Sequence, residues 1–174
     1  GFSIYAKDFE GRELPTASEL SEELCNEFNI DYLNDLSKVC TVIDSFNREG
    51  LKEYLINRFN VEKIPDFYKN IINIQCPRIF TTNIDNLLAK IFENESKKYL
   101  NNIFLNGLCF KDSNCIDYIP LHGSIEVESS KFIFNVQEVT ASFRLQRNGW
   151  ANLSLSANQV PSLFIGYSLS DVGA

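Results

Sequence analysis

The stretch Arg78-Ile79-Phe80-Thr81-Thr82-Asn83-Ile84-Asp85-Asn86-Leu87-Leu88 decides the fold class. Its first half is apolar and β-branched, the composition of a short buried strand. At Asn83 the character changes to polar groups, and Leu87, Leu88, Ile91 and Phe92 then recur at helical spacing. An Asn and an Asp therefore sit where a strand hands over to a helix. In open α/β sheets, ligands bind in the crevice outside the carboxyl ends of the strands. Taken alone, the stretch has a simpler meaning: Asn83 or Asp85 caps the helix that follows.

Upstream, Gly1-Phe2-Ser3-Ile4-Tyr5-Ala6 has the small and hydroxyl residues of a tight loop, and Lys7–Leu14 is a polar excursion ending at Pro15. Thr16-Ala17-Ser18-Glu19 is a capping box, with Leu20, Leu24 and Phe28 as one apolar face behind it. Three more helical segments are expected. Leu33, Leu36, Val39, Cys40 and Ile43 carry the first, Leu51, Leu55 and Phe59 the second, and Phe67, Ile71 and Ile74 the third. Downstream, Phe104–Phe110 reads as a short strand or a loop. Tyr118–Leu121 is a second buried strand, ending in His122-Gly123-Ser124, and Lys131–Val136 is a third. A helix is expected over Val139–Leu155, with Phe143, Trp150 and Leu153 as anchors. Ser162–Gly166 is a fourth strand, running into Tyr167-Ser168-Leu169-Ser170-Asp171. Strands interleaved with helices argue a parallel α/β sheet flanked by helices. Residues of about 16–74 form a helical insertion within one domain spanning 1–174.

Bulk properties narrow the function. The chain has 174 residues, 44% hydrophobic and 22% charged, which suits a globular protein with a real core. It contains no Met, and both ends break off inside motifs that look ordered, so a fragment truncated at both ends is expected, inactive by itself. The net charge of −7 and the lack of a Lys/Arg cluster argue against nucleic-acid or anionic-membrane partners. The five cysteines are scattered without a CxxC pair, which fits a reduced, cytoplasmic protein with structural thiols. No segment has the apolar length of a membrane span.

Three expected strands end in polar residues: Asn83 and Asp85, then His122, Gly123 and Ser124, then Gly166, Ser168 and Asp171. In a parallel sheet these ends share one edge, so the residues converge, joined by the Gly1–Ser3 loop if it follows a strand. His122 is the only histidine. It is either a satisfied structural residue or, as the one side chain that ordinarily titrates near neutrality, the general base. Gly123 permits close approach beside it. No serine stands in a G-x-S-x-G elbow, no His and carboxylate set suits a catalytic metal, and no G-x-G-x-x-G is present.

Together these motifs resemble the sirtuin-like family of NAD-consuming enzymes. Gly1-Phe2-Ser3, with Ala6 and Pro15, resembles the end of that family's Gly-Ala-Gly-x-Ser phosphate loop. Thr82-Asn83-Ile84-Asp85 resembles its Gln-Asn-Ile-Asp motif, Leu121-His122-Gly123 its His-Gly, and Gly166-Tyr167-Ser168-Leu169 its Gly-Thr-Ser-Leu. The resemblance implies a Rossmann-like sheet with NAD as substrate and no metal. By resemblance, Gly1, Phe2 and Ser3 face the pyrophosphate and ribose, with Thr82 in the same motif as Asn83. Asn83 and Asp85 lie near the nicotinamide and the reacting ribose carbon. His122, beside Gly123, engages the ribose hydroxyls as base, and Gly166, Tyr167 and Ser168 line the adenosine side.

The departures are informative. Thr82 replaces Gln, Lys7–Leu14 separates the phosphate loop from Pro15, and no cysteine follows Cys115, where deacylases of the family carry a four-cysteine zinc module. Thr-Thr-Asn-Ile-Asp, Leu-His-Gly-Ser and Phe-Ile-Gly-Tyr-Ser-Leu-Ser-Asp look most like the bacterial anti-phage defence branch, which hydrolyses NAD to ADP-ribose and nicotinamide and so depletes it. Members of that branch are commonly controlled by oligomerisation, a second domain or a phage-derived activator. The competing expectations are an NAD-dependent protein deacylase, a non-catalytic NAD or ADP-ribose sensor, and a domain kept for assembly alone.

Overall fold

The computed structural model describes residues 1–95, 97–106, 112–127, 154–155, 158–159 and 161–166. Helix α1, Ala17–Glu27, starts as its capping box dictates: Thr16 Oγ1 accepts from the Glu19 N–H, and Glu19 Oε2 accepts from the Thr16 N–H at 2.8 Å. Leu20 and Leu24 are its buried face. The next two expected helical segments join into one element, α2, Leu36–Phe59, broken at Asn47 (φ −149°, ψ 64°). The break has a local cause, because Asn47 Oδ1 accepts the Gly50 N–H at 3.0 Å and recaps the chain as if it began a second helix.

The expected helix through Phe67, Ile71 and Ile74 is instead a 3₁₀ segment, Asp66–Asn73, started by Pro65. With three residues per turn, Tyr68 and Ile71 share a stripe. Tyr68 is 5% exposed and Phe67 55%, the reverse of the anchoring expected from the sequence. All the helical elements before the sheet thus fall between residues 16 and 74.

Strand β1, Arg78–Thr81, leads into α3, Leu87–Glu95; β2, Tyr99–Asn102, follows, then the helical turn α4, Ile103–Asn106, and β3, Cys115–Pro120. The sheet order is β1-β3-β2 and both pairings are parallel, with Phe80 opposite Ile119 and Asn101 opposite Asp117. A parallel sheet flanked by helices is the Rossmann-like α/β arrangement the sequence implies. β2 had no forecast, since its Asn101 and Asn102 give no apolar signal. Asn101 earns its place through its Nδ2, which donates to Asp117 Oδ1 at 3.2 Å across the ladder.

Phe104–Asn106 belongs to α4 rather than to a strand or loop. Ser162–Ile165 shows no strand pairing among the described residues, with Leu163 and Phe164 exposed, so the fourth strand is not observed. An apolar run signals burial, whereas a strand also needs an edge to pair with. The Lys131–Val136 strand and most of the Val139–Leu155 helix, with Phe143, Trp150 and Leu153, lie outside the described residues; Ser154 and Leu155 are helical. No helix among the described residues is long and apolar enough to cross a membrane.

Two apolar clusters hold this frame. One joins α1 and α2 through Leu24, Val39, Ile43 and Leu55 and reaches Ile84, just beyond β1. The other packs Leu87 and Ile91 of α3 with Ala6, Leu14, Val61 and Tyr68. Full burial of each Leu, Ile or Val side chain here contributes about 1.5–3 kcal/mol. The polar excursion Lys7–Leu14 is a closed turn, with Lys7 bridged to Glu13 and to Lys63.

A buried ion cluster ties that turn to α2. Arg58, 4% exposed, donates to Asp8 Oδ2 at 3.0 Å, to both Glu23 oxygens at 2.8 and 2.9 Å, and to the Glu13 carbonyl at 2.8 Å. Burial alone would raise the fully buried Asp8 carboxyl. The hydrogen bonds from Arg12 and the two guanidinium charges outweigh it and hold Asp8 below its ordinary value.

Candidate functional site

β1 and β3 are neighbours, so the polar residues that follow them emerge side by side. Register pairs Thr81 with Pro120, and two hydrogen bonds continue the association past the strands: Leu121 N–H to the Thr81 carbonyl at 2.7 Å, and Ile125 N–H to the Ile84 carbonyl at 2.9 Å. The Thr82–Asn86 and Leu121–Ser124 segments are thereby bound to each other along the carboxyl edge of the sheet. Half-buried Thr82 and His122 lie on that edge. Gly123, buried, takes φ +90° and returns its N–H to the Pro120 carbonyl at 3.3 Å, a turn that favours glycine.

The centre of the site is a polar knot. Asn83 Nδ2 donates to Ser3 Oγ at 2.7 Å and to Asp85 Oδ2 at 3.2 Å, while the Asn83 N–H is held by Thr81 Oγ1 at 3.0 Å. The other carboxylate oxygen, Asp85 Oδ1, accepts the Leu87 N–H at 3.0 Å and so caps α3. Both Asp85 carboxyl oxygens act as acceptors here, Oδ2 toward Asn83 Nδ2, so Asp85 fixes the orientation of the Asn83 amide. Both amide protons are then committed, and Oδ1 is left as the acceptor, close to Gly1; a Cβ placed on Gly1 would stand 3.9 Å from it.

Asp85 is 5% exposed and Ser3 4%. Burial drives the Asp85 carboxyl above its ordinary value of 3.8, and the hydrogen bonds from Ser3, the Leu87 N–H and Asn83 only partly offset it. Tyr118 of β3, itself buried, has its hydroxyl pushed up by burial first and then by the charges of Asp85 and Glu126.

The N-terminal loop lies against this knot from two sides. Tyr68 donates to the Phe2 carbonyl at 2.7 Å and accepts the Tyr5 N–H at 3.2 Å. On another side Gly166, at φ +68°, touches the Phe2 backbone so closely that a Cβ would meet Phe2 Cα and N at 2.7 Å. Gly1, Phe2, Ser3, Asn83, Asp85 and Gly166 are therefore brought together, and Thr82, His122 and Gly123 occupy the adjoining strand ends. Tyr167 and Ser168 lie outside the described residues. Sequence reasoning missed Tyr68, whose only signal was a polar group on an otherwise apolar stripe.

A family model described as a SIR2-like domain matches residues 77–173, more than half of the chain. The chain belongs to the SIR2-like family. No curated protein matches it. The matched span contains the Asn83/Asp85 and His122/Gly123 ends, while the Gly1–Ser3 loop lies outside it and is joined to the SIR2-like site by Ser3 and Phe2.

SIR2-like domains use NAD. This edge brings together the Asn83 carboxamide oxygen, the Gly1–Ser3 loop and, on the neighbouring strand end, the half-buried His122. These features are compatible with NAD-dependent enzyme activity.

Proposed function

We propose that this SIR2-like domain hydrolyses the nicotinamide–ribose bond of NAD, giving ADP-ribose and nicotinamide. The observation that carries the proposal is the Asn83 amide, its two protons spent on Ser3 and Asp85 and its Oδ1 kept as an acceptor at the carboxyl edge of β1. Cleavage of an N-glycosidic bond passes through an oxocarbenium-like state that water then captures. An oriented acceptor holds that water or a ribose hydroxyl by its proton. His122, across the edge on the end of β3, takes the proton as general base.

Asp85 in this scheme keeps Asn83 in its acceptor-outward orientation. Gly1, Phe2 and Ser3 offer backbone to the pyrophosphate and ribose, Thr82 and Gly123 border the ribose, and Gly166, Tyr167 and Ser168 take the adenosine side. No metal enters the scheme. The forms Thr81-Thr82-Asn83-Ile84-Asp85 and Leu121-His122-Gly123-Ser124 further support a place in the cytoplasmic anti-phage defence branch, where NAD depletion is the output. Control by homo-oligomerisation and by a regulatory domain or phage-derived activator belongs to the same proposal.

The test incubates full-length protein with NAD alone and follows nicotinamide release, alongside Asn83→Ala and His122→Ala. Release from wild type, lost in both variants, is expected. Release that requires an acylated peptide would transfer the domain to the deacylases, and NAD binding without turnover under any activating condition would make it a sensor.

A further inference from the structure

We propose that Tyr68 is a positioning residue that holds the Gly1–Ser3 loop in its ligand-ready conformation. The proposal rests on the NAD-binding reading of the site. In a turn running from Phe2 to Tyr5, the carbonyl of the first residue and the N–H of the fourth often bond each other. Here they do not. The Tyr68 hydroxyl stands between them, donating to Phe2 at 2.7 Å and accepting from Tyr5 at 3.2 Å. The next turn, Ser3 to Ala6, is closed by its own backbone bond of 2.9 Å.

The Tyr68 ring also packs edge-on against Phe2, with centroids 5.2 Å apart at 70°. The hydroxyl is therefore the bridge that shapes the loop at the two residues flanking Ser3 and Ile4. Ser3 Oγ is what the loop delivers to Asn83 at 2.7 Å, and Phe2 is what it delivers to Gly166.

Tyr68 itself is anchored independently of the ligand. It sits on the 3₁₀ segment Asp66–Asn73 within the cluster of Leu87, Ile91, Val61 and Leu14. Its hydroxyl is raised above the ordinary value, by burial first, and it remains a neutral donor at physiological pH. The side chain thus links the core under α3 to a backbone segment 66 residues away without touching the reacting atoms.

Replacing Tyr68 by Phe keeps the ring and removes the bridge, leaving a carbonyl and an N–H to find other partners. Unsatisfied groups of this kind cost enough to lower the population of the competent loop by about tenfold, and apparent affinity falls by that fraction. Once ligand is bound, the loop is in place and chemistry proceeds as before.

The experiment measures KM and kcat for NAD hydrolysis and the ADP-ribose dissociation constant in full-length wild type, Tyr68→Phe and Tyr54→Phe. Tyr54 is the matched control: its hydroxyl donates to Glu23 Oε2 at 3.0 Å in the α1–α2 cluster, away from the loop. For Tyr68→Phe, KM and the ADP-ribose constant are expected to rise about tenfold with kcat within about threefold, and for Tyr54→Phe both stay unchanged. Unchanged KM in Tyr68→Phe, or an equal rise in Tyr54→Phe, overturns the proposal. So does a Tyr68→Phe protein that melts lower yet gains as much thermal stability from saturating ADP-ribose as wild type does. Should wild type bind ADP-ribose but release no nicotinamide, hydrolysis fails while the binding comparison still decides Tyr68; should it bind neither, both proposals fall.

Discussion

Gly166→Ala tests whether the N-terminal loop and the segment at Gly166 form one site. Two costs follow from the geometry. At φ +68° an L side chain pays the left-handed penalty, about 1–2 kcal/mol. The new Cβ would also stand 2.7 Å from Phe2 Cα and N and 3.0 Å from Phe2 Cβ. Carbon atoms prefer about 3.5–4.0 Å, and two of the three obstacles are backbone, which cannot rotate aside. Overpacking of this kind costs about 1–3 kcal/mol.

Together the two costs come to about 2–5 kcal/mol, and at about 1.4 kcal/mol per decade they weaken ligand binding by between about 30- and 3,000-fold, provided the loop is displaced rather than the whole fold. Titration calorimetry with ADP-ribose on full-length protein reads this directly. Gly11→Ala separates the two terms, because Gly11 has φ +81° and nothing within 4 Å of its Cβ position. That control loses stability only, by about 1–2 kcal/mol, and binds normally. Binding by Gly166→Ala within about threefold of wild type, or equal weakening by Gly11→Ala, would refute the reasoning.

Arg58→Met leaves the fully buried Asp8 and the partly buried Glu23 without their shared cation, with Arg12 alone remaining on Asp8. Removing one partner of a buried ion cluster costs about 3–5 kcal/mol, so the urea midpoint should fall steeply; a loss under about 1 kcal/mol would contradict the assignment. Asp85→Asn bears on pH. Because the folded Asp85 carboxyl is raised, its contribution to stability is fully present below its ordinary 3.8 and is lost as pH rises through the raised folded value. Wild type should therefore gain on Asp85→Asn in urea unfolding as pH falls through that window, and a constant difference would show that Asp85 is not raised.

The β1-to-α3 handover was legible because the change from a β-branched run to helical spacing happens within a few residues, and local composition records it. The adjacency of the segments carrying Asn83 and His122 was legible for a topological reason: parallel strands put their carboxyl ends on one edge. What stayed hidden depended on partners far away in sequence. β2 is too short and too polar in its second half, Asn101 and Asn102, to signal itself, and it becomes a strand through β3, where Asn101 meets Asp117. Tyr68 looked like one more aromatic beside Phe67, and its partner is a backbone carbonyl in the first residues of the chain. Ser162–Gly166 failed in the opposite sense, since its apolar run carries no information about which edge, if any, accepts it. The break at Asn47 falls between the two helical segments that spacing predicts, although the side-chain bond that makes it is not encoded in that spacing.

Asp85 shows why helix cap and site residue were never competing descriptions. A carboxylate has two oxygens, and here they serve different masters: Oδ1 takes the first free N–H of α3, and Oδ2 takes Asn83. Capping fixes where α3 begins, and α3 buries Leu87 and Ile91 against Ala6, Leu14 and Tyr68, which in turn support the N-terminal loop. The same loop brings Ser3 back to Asn83. The contacts close into a ring, from cap to helix to core to loop to site, so the energy that folds α3 also orients the Asn83 acceptor. A bare cap has no need of an Asn two residues upstream whose protons are both consumed. That surplus hydrogen bonding, which uses both amide protons and leaves Oδ1 as the acceptor, is what favours the proposed ligand site over a well-made turn.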